Sequence, residues 1–203
     1  MKHSGEIVPC KSGLHASERL IDALQYAPGE TLCRVRPGGK IVSHDNDKLV
    51  ASERTILWRI DAADPLRVFA RRCALSIIHL WDAPAVVREW LETGREDLRA
   101  TARAAASWAA GATARDSAGD APWDAAWATA RVAARDAPWA RWAAARDAAW
   151  ATAGIAAGAA ARVAARAATR HAAWVAARDA QNTVLMALVA AEIAKYDYEM
   201  EPA

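Results

Sequence analysis

The sequence predicts an α+β protein: a small N-terminal α+β module over residues 1–64, followed by an all-α, alanine-rich bundle of closely packed helices over residues 65–203. Two observations carry this reading. Up to Asp64 short apolar runs alternate with Pro, Gly and Asp turn signals, the grammar of short strands and helices. Beyond Asp64 the apolar spacing is helical and alanine, the strongest helix former, dominates.

Taken in order, GLHAS (Gly13 to Ser17) reads as a strand entering a helix over Glu18 to Ala27, capped by Ser17 and stopped by Pro28 and Gly29. Leu20, Ile21 and Leu24 share the apolar face of that helix. TLCRVR (Thr31 to Arg36) alternates as a strand does. The run Pro37-Gly38-Gly39 then predicts a hairpin turn into a second short strand, Lys40 to Val42. A polar loop, His44 to Lys48, leads towards a third strand at Thr55 to Ile60. Asp64-Pro65 is a cap and first-turn pair, opening a core helix to Trp81 that carries Leu66, Phe69, Cys73, Leu75, Ile77, Ile78 and Leu80. Asp82 and Pro84 open the next helix, closed by Gly94, and another from Arg95 ends at Gly111. Further helices are expected from about Pro122 to Arg135, from Pro138 to the Gly154 and Gly158 pair, and finally to near Tyr196.

Internal repetition supports this segmentation. DAPW recurs at Asp120 and Asp136, DAAWATA at Asp124 and Asp147, and ARVAAR at Ala130 and Ala161, spacings too irregular for a solenoid. Alanine helices build a thin core, so they must approach closely, with occasional large residues filling what is left.

Composition removes several function classes. With 26 basic and 24 acidic residues the net charge is +2, which is not the basic balance of a duplex nucleic-acid binder; any electrostatic function is local. Cys10, Cys33 and Cys73 lie far apart, form no C-x-x-C pair and read as reduced thiols in a cytoplasm. The start of the chain shows no apolar leader, and the longest uncharged stretch of the alanine half, Ala148 to Ala161, falls short of the ~20 residues that cross a bilayer. A cytoplasmic protein without a membrane span is the expectation. No Walker loop, G-x-G-x-x-G or G-x-S-x-G occurs. Asp22, Asp45, Asp47 and Glu53 show no spacing that assigns acid and base roles, and Cys10 with His15 is not a metal signature. His171 reads as a surface or gap-filling residue. The sequence therefore points away from catalysis and implies no cofactor and no metal.

What remains is a face of tryptophan and arginine. At about 100° per residue, Trp142 lies about 60° from Trp139, while Arg146 and Trp150 lie about 20° to either side of it, so all four share one face. Arg162, Arg166, Arg170, Trp174 and Arg178 follow. Between Arg131 and Arg178 eight arginines stand against Asp136 and Asp147, whereas the tail from Asp179 is acidic. Two readings suit this pattern. Indoles stack on a base while guanidinium groups hold phosphate, the chemistry of a nucleotide or single-strand site. Alternatively the indoles fill the core and the arginine stems lie across them. On the first reading the binding residues are Trp139, Trp142, Arg146, Trp150, Arg162, Arg166, Arg170 and Trp174.

Three resemblances rest on these motifs. The segment from GLHAS through DALQYAPG to DKLVAS and TILW (Gly13 to Trp58) resembles an uncharacterised domain of bacteriophage and prophage proteins, many of which continue into alanine-rich tails. The chain from Leu66 onward, RATARAAASWAAG (Arg99 to Gly111) in particular, resembles predicted immunity proteins of bacterial polymorphic toxin systems. GLHAS followed by DALQYA is similar to a strand-helix stretch of ADP-ribosyltransferase-like folds, which implies His15 and Ser17 beside a nicotinamide. The first-motif Arg or His of those folds and a clear catalytic Glu are not found in this sequence. The first two resemblances imply a non-catalytic phage or prophage binding protein acting in virus-host conflict; the third implies, as the alternative, an ADP-ribosyltransferase-like NAD-binding protein using the GLHAS segment. The binding protein's partner is a host or competitor protein docked on the helical half, or a small nucleotide messenger on the Trp and Arg face. Self-association through the helical half is a further expectation, and single-stranded nucleic acid a further ligand class.

Overall fold

A computed structural model describes residues 1–26, 29–44, 47–116, 125, 129, 132, 146–155, 157 and 167–196 and shows an α+β fold. Three antiparallel strands, β1 (Leu14–Ala16), β2 (Thr31–His44) and β3 (Lys48–Asp61), form a sheet in the order β1-β3-β2. A short helix, α1 (Leu20–Ala23), lies between β1 and β2. Helices α2 (Ala63–Ser76), α3 (Ala85–Thr93), α4 (Glu96–Asp116) and α5 (Ala167–Ile193) follow, and residues 146–155 are also helical.

β2 and β3 pair along their whole length, from Thr31 opposite Asp61 to His44 opposite Lys48. The hairpin turn expected at Pro37-Gly38-Gly39 is therefore a bulge inside one strand. Gly38 pairs with Glu53 and Ile41 with Ala51, which leaves Gly39 and Lys40 opposite Ser52 alone. Gly39 takes φ +68°, and the Ser52 hydroxyl accepts the Lys40 N–H at 2.9 Å. Local turn chemistry was right about the backbone conformation; strand length overrode it as a reversal. Pro37 is tolerated because β2 is an edge strand, where a missing donor leaves no central ladder broken. The N-terminus extends the opposite edge: the Met1 amine donates to the Arg54 carbonyl at 2.8 Å and the His3 N–H to Ser52 at 2.8 Å.

The cap expected from Ser17 is absent, and the helix it was to open is only four residues long. Its N-terminal donor is satisfied from far along the chain, the Ile21 N–H donating to Asn182 Oδ1 at 3.0 Å. In α2 the capping carboxylate is Asp61, whose Oδ1 accepts the Ala63 N–H at 2.9 Å. Asp64 sits inside the first turn and pairs with Arg67 at 2.8 Å. α2 stops at Ser76 rather than Trp81, a short 3-10 turn over Ile78–Leu80 completing the segment. α3 begins after Pro84 and ends on Gly94 at φ +71°, as its sequence predicts. α4 continues past Gly111, because one glycine costs only ~1 kcal/mol inside an alanine helix.

One hydrophobic cluster joins the two compositional halves. Ile21, Leu24 and Ile60 pack with Phe69 and Cys73 of α2, Val87, Trp90 and Leu91 of α3, and Leu185, Val189 and Ile193 of α5. Alanines such as Ala74, Ala106 and Ala149 are completely enclosed, the close approach expected of small-residue helices.

Candidate aromatic cleft between α1 and α5

Of the expected binding residues, Trp139, Trp142, Arg162 and Arg166 lie outside the described residues; Arg170 is described only as a helical backbone position in α5. The other three are placed. Trp150, in the helical stretch 146–155, meets Trp174 of α5 edge to face, with ring centroids 5.1 Å apart and planes at 65°. Trp150 remains 46% exposed, while Trp174 is half-buried against Gly154. Arg146 is half-buried and its Nε and Nη2 donate to Asp147 Oδ1 at 3.2 and 3.1 Å.

The indole pair borders a cleft of about 220 Å³ lined by Arg19, Asp22, Gln25, Trp150, Trp174, Val175 and Arg178. Its charges are arranged by two helices. Arg178 Nη2 donates to Asp22 Oδ1 at 3.0 Å and to the Ile21 carbonyl at 3.1 Å, with both side chains almost wholly buried. At the rim Arg19 pairs with Asp179 at 2.8 Å and lies 3.5 Å from Asp22 Oδ2. Each of these guanidinium groups, like that of Arg146, thus faces a carboxylate of the same chain. The cleft offers aromatic surface and an amide, with its cations neutralised.

Beneath the cleft a polar relay ties α5 to its neighbours. Gln181 Nε2 donates to Thr152 Oγ1 at 2.7 Å and to the Ala149 carbonyl at 3.0 Å, while the Thr152 hydroxyl donates to the Ala148 carbonyl at 2.8 Å. Burial pushes the neighbouring Cys73 thiol up to about 12, opposed by a hydrogen bond with Thr152 and by the Arg178 charge. This cysteine is a packing residue.

The alternative pair is placed differently. His15 lies in β1 opposite Val50, its Nε2 accepting the Cys10 N–H at 3.2 Å and its carbonyl accepting Arg54 Nη1 at 3.1 Å. One of the two His15 ring nitrogens is thus engaged by backbone. Ser17 follows β1 half-buried. Nearby, Tyr26 donates to Asp47, a bond that holds its phenol above the usual range, and the Lys48 ammonium stands 4.2 Å from the Tyr26 ring centroid. Among the described residues no group of three or more His, Cys, Asp or Glu side chains is placed to hold a metal, and no helix is long and apolar enough to cross a membrane.

Sequence reasoning had Asp22 among carboxylates whose spacing assigns no acid and base roles, and Arg178 as one member of a basic tract; their pairing, and the parts played by Arg19, Gln25 and Asn182, it missed. The available signal was spacing: Arg178 and Asn182 stand four apart, on one face of their helix.

Residues 1–67, about a third of the chain, match the model of a family described as a domain of unknown function (DUF7666). No curated protein and no solved structure matches the chain.

Proposed function

We propose that this is a non-catalytic binding protein that neutralises a partner protein by docking its helical half upon it, in the phage or prophage conflict that the sequence resemblances imply. The observation that carries the reading is Trp108. On α4 its indole is 78% exposed, beside the small exposed residues Ala100, Thr101 and Ala104. A large rigid ring on a smooth strip is the usual anchor of a protein interface. Burying about 150 Å² of indole would contribute about 4 kcal/mol to association. Neutralisation of Arg19, Arg146 and Arg178 by Asp179, Asp147 and Asp22 favours this reading over a phosphate-holding face, which needs uncompensated guanidinium groups.

Native mass spectrometry of the protein purified from cells of the host type tests the proposal. The expected spectrum carries a bound protein, lost from Trp108→Ala while that variant keeps its thermal transition. Addition of mononucleotides or cyclic dinucleotides should leave the tryptophan fluorescence unchanged. A retained nucleotide, or saturable nucleotide quenching with unaltered complexes of Trp108→Ala, would overturn it.

A further inference from the structure

Outside the aromatic cleft, the sheet module gathers a second group of reactive side chains from separate stretches of the chain. Residues 8–12 form a tight turn, in which the Val8 N–H donates to the Ser12 carbonyl at 3.0 Å and the Ser12 N–H to the Val8 carbonyl at 2.9 Å. Cys10 stands in this turn with its thiol exposed. Its φ of +63° makes it the one non-glycine residue among the described residues with a positive φ, a conformation that glycine would adopt without strain. From β1, His15 Nε2 accepts the Cys10 N–H at 3.2 Å and so pins the turn.

Lys48, at the start of β3, reaches the same thiol. Its side chain hydrogen-bonds the Tyr26 hydroxyl and Cys10, and its ammonium stands 4.2 Å from the Tyr26 ring centroid. Tyr26 is itself tied to Asp47. Desolvation acts against the Lys48 charge, but the Tyr26 and Cys10 side chains outweigh it and hold the ammonium above its usual range. A lasting cation is thereby kept beside an exposed sulfur. The other two cysteines are less open to solvent, Cys33 being half-buried in β2 and Cys73 buried in α2.

We propose that Cys10 is a reversible modification site, whose thiol exchanges with small disulfides of the glutathione type while the Lys48 ammonium holds the attacking thiolate. The thiolate is the form that attacks a disulfide, and a neighbouring cation favours it. As the new bond from Cys10 Sγ forms, the S–S bond of the reagent breaks and its electron pair leaves on the second sulfur. That sulfur takes up a proton in place of the one Cys10 gave to solvent. Cys10 is oxidised and the departing half of the reagent reduced, so the disulfide is the only oxidant required. The site lies in the sheet module and is independent of Trp108 and α4.

The full chain is treated with 2-hydroxyethyl disulfide, which carries no charge for a lysine to attract, and adducts are located by peptide mass spectrometry. Each rate is divided by that of the same thiol in urea. In the folded parent Cys10 should form its mixed disulfide at least about tenfold faster than Cys33, Cys73 should form none in the same period, and dithiothreitol should restore the thiol. Oxidised glutathione should label the same residue. Lys48→Gln should slow Cys10 at least about threefold with its thermal transition unchanged, and Lys48→Arg should keep the parent rate within about twofold. Cys33 reacting as fast as Cys10, no adduct from oxidised glutathione, a Gln variant at the parent rate, or an Arg variant as slow as the Gln variant would each overturn the proposal.

Discussion

The buried thiol of Cys73 predicts how stability responds to alkali. Its ordinary value is 9.0, and burial holds it at about 12 in the folded chain. Below pH 9 folded and unfolded thiols are both protonated and the group adds no pH dependence. As the pH rises beyond that, the unfolded thiol releases its proton while the folded one retains it. The unfolded state is thereby favoured, and stability falls through the window from about 9 to about 12. At about pH 10.5 the difference is about 1.5 pH units, or about 2 kcal/mol. The perturbation is Cys73→Ala, and the assay is urea unfolding followed by far-ultraviolet circular dichroism at about pH 8 and about pH 10.5. Other groups also titrate there, so the quantity read is the parent's loss between the two pH values minus the variant's. An excess loss of about 2 kcal/mol in the parent is expected. Equal losses, within about 0.5 kcal/mol, would refute the claim that this thiol is held in a dry, packed environment.

Two further predictions concern packing and charge. Arg178→Met leaves the Asp22 carboxylate buried without its partner and should destabilise the fold by about 3–5 kcal/mol in urea unfolding. Asp22→Ala together with Arg178→Met should recover at least half of that loss, and a single variant costing under about 1 kcal/mol would contradict the buried pairing. Glycine-to-alanine changes should have opposite signs at two positions. A Cβ on Gly13, at φ +113°, would stand 2.4 Å from Val50 Cγ2, so Gly13→Ala should lower stability by about 2 kcal/mol or more. On Gly154 the nearest atom would be the Trp174 ring at 3.7 Å, so Gly154→Ala should raise stability by about 0.5–1 kcal/mol; matching thermal shifts in the two variants would refute this account.

Elements whose signals are short-range were legible in the amino-acid order. The apolar face of α2, the Pro84 start and Gly94 stop of α3, and β1 within GLHAS each follow from residues within one or two turns of each other. Pro37-Gly38-Gly39 shows the limit of such reading. A glycine at positive φ serves a turn or a bulge equally well, and the choice belonged to β3, which is long enough to pair with both sides. The Ser17 cap failed for a related reason: the helix it was to open is held by Asn182, 161 positions away from Ile21.

The candidate site divides along the same line. Periodicity placed Arg146 and Trp150 on one helix face, and composition placed Trp174 and Arg178 in a basic, aromatic tract. Neither shows which helix lies opposite, because helical spacing describes a face and not what covers it. Packing α5 across α1 brought Asp22 to Arg178, 156 positions apart, and gave the buried guanidinium a carboxylate beside an aromatic cleft. From the order of residues alone come the α+β architecture and the alanine-rich helices that follow the sheet. That Arg178 meets a carboxylate was decided by a contact distant along the chain, since a buried charge is stable only beside a partner that folding brings to it.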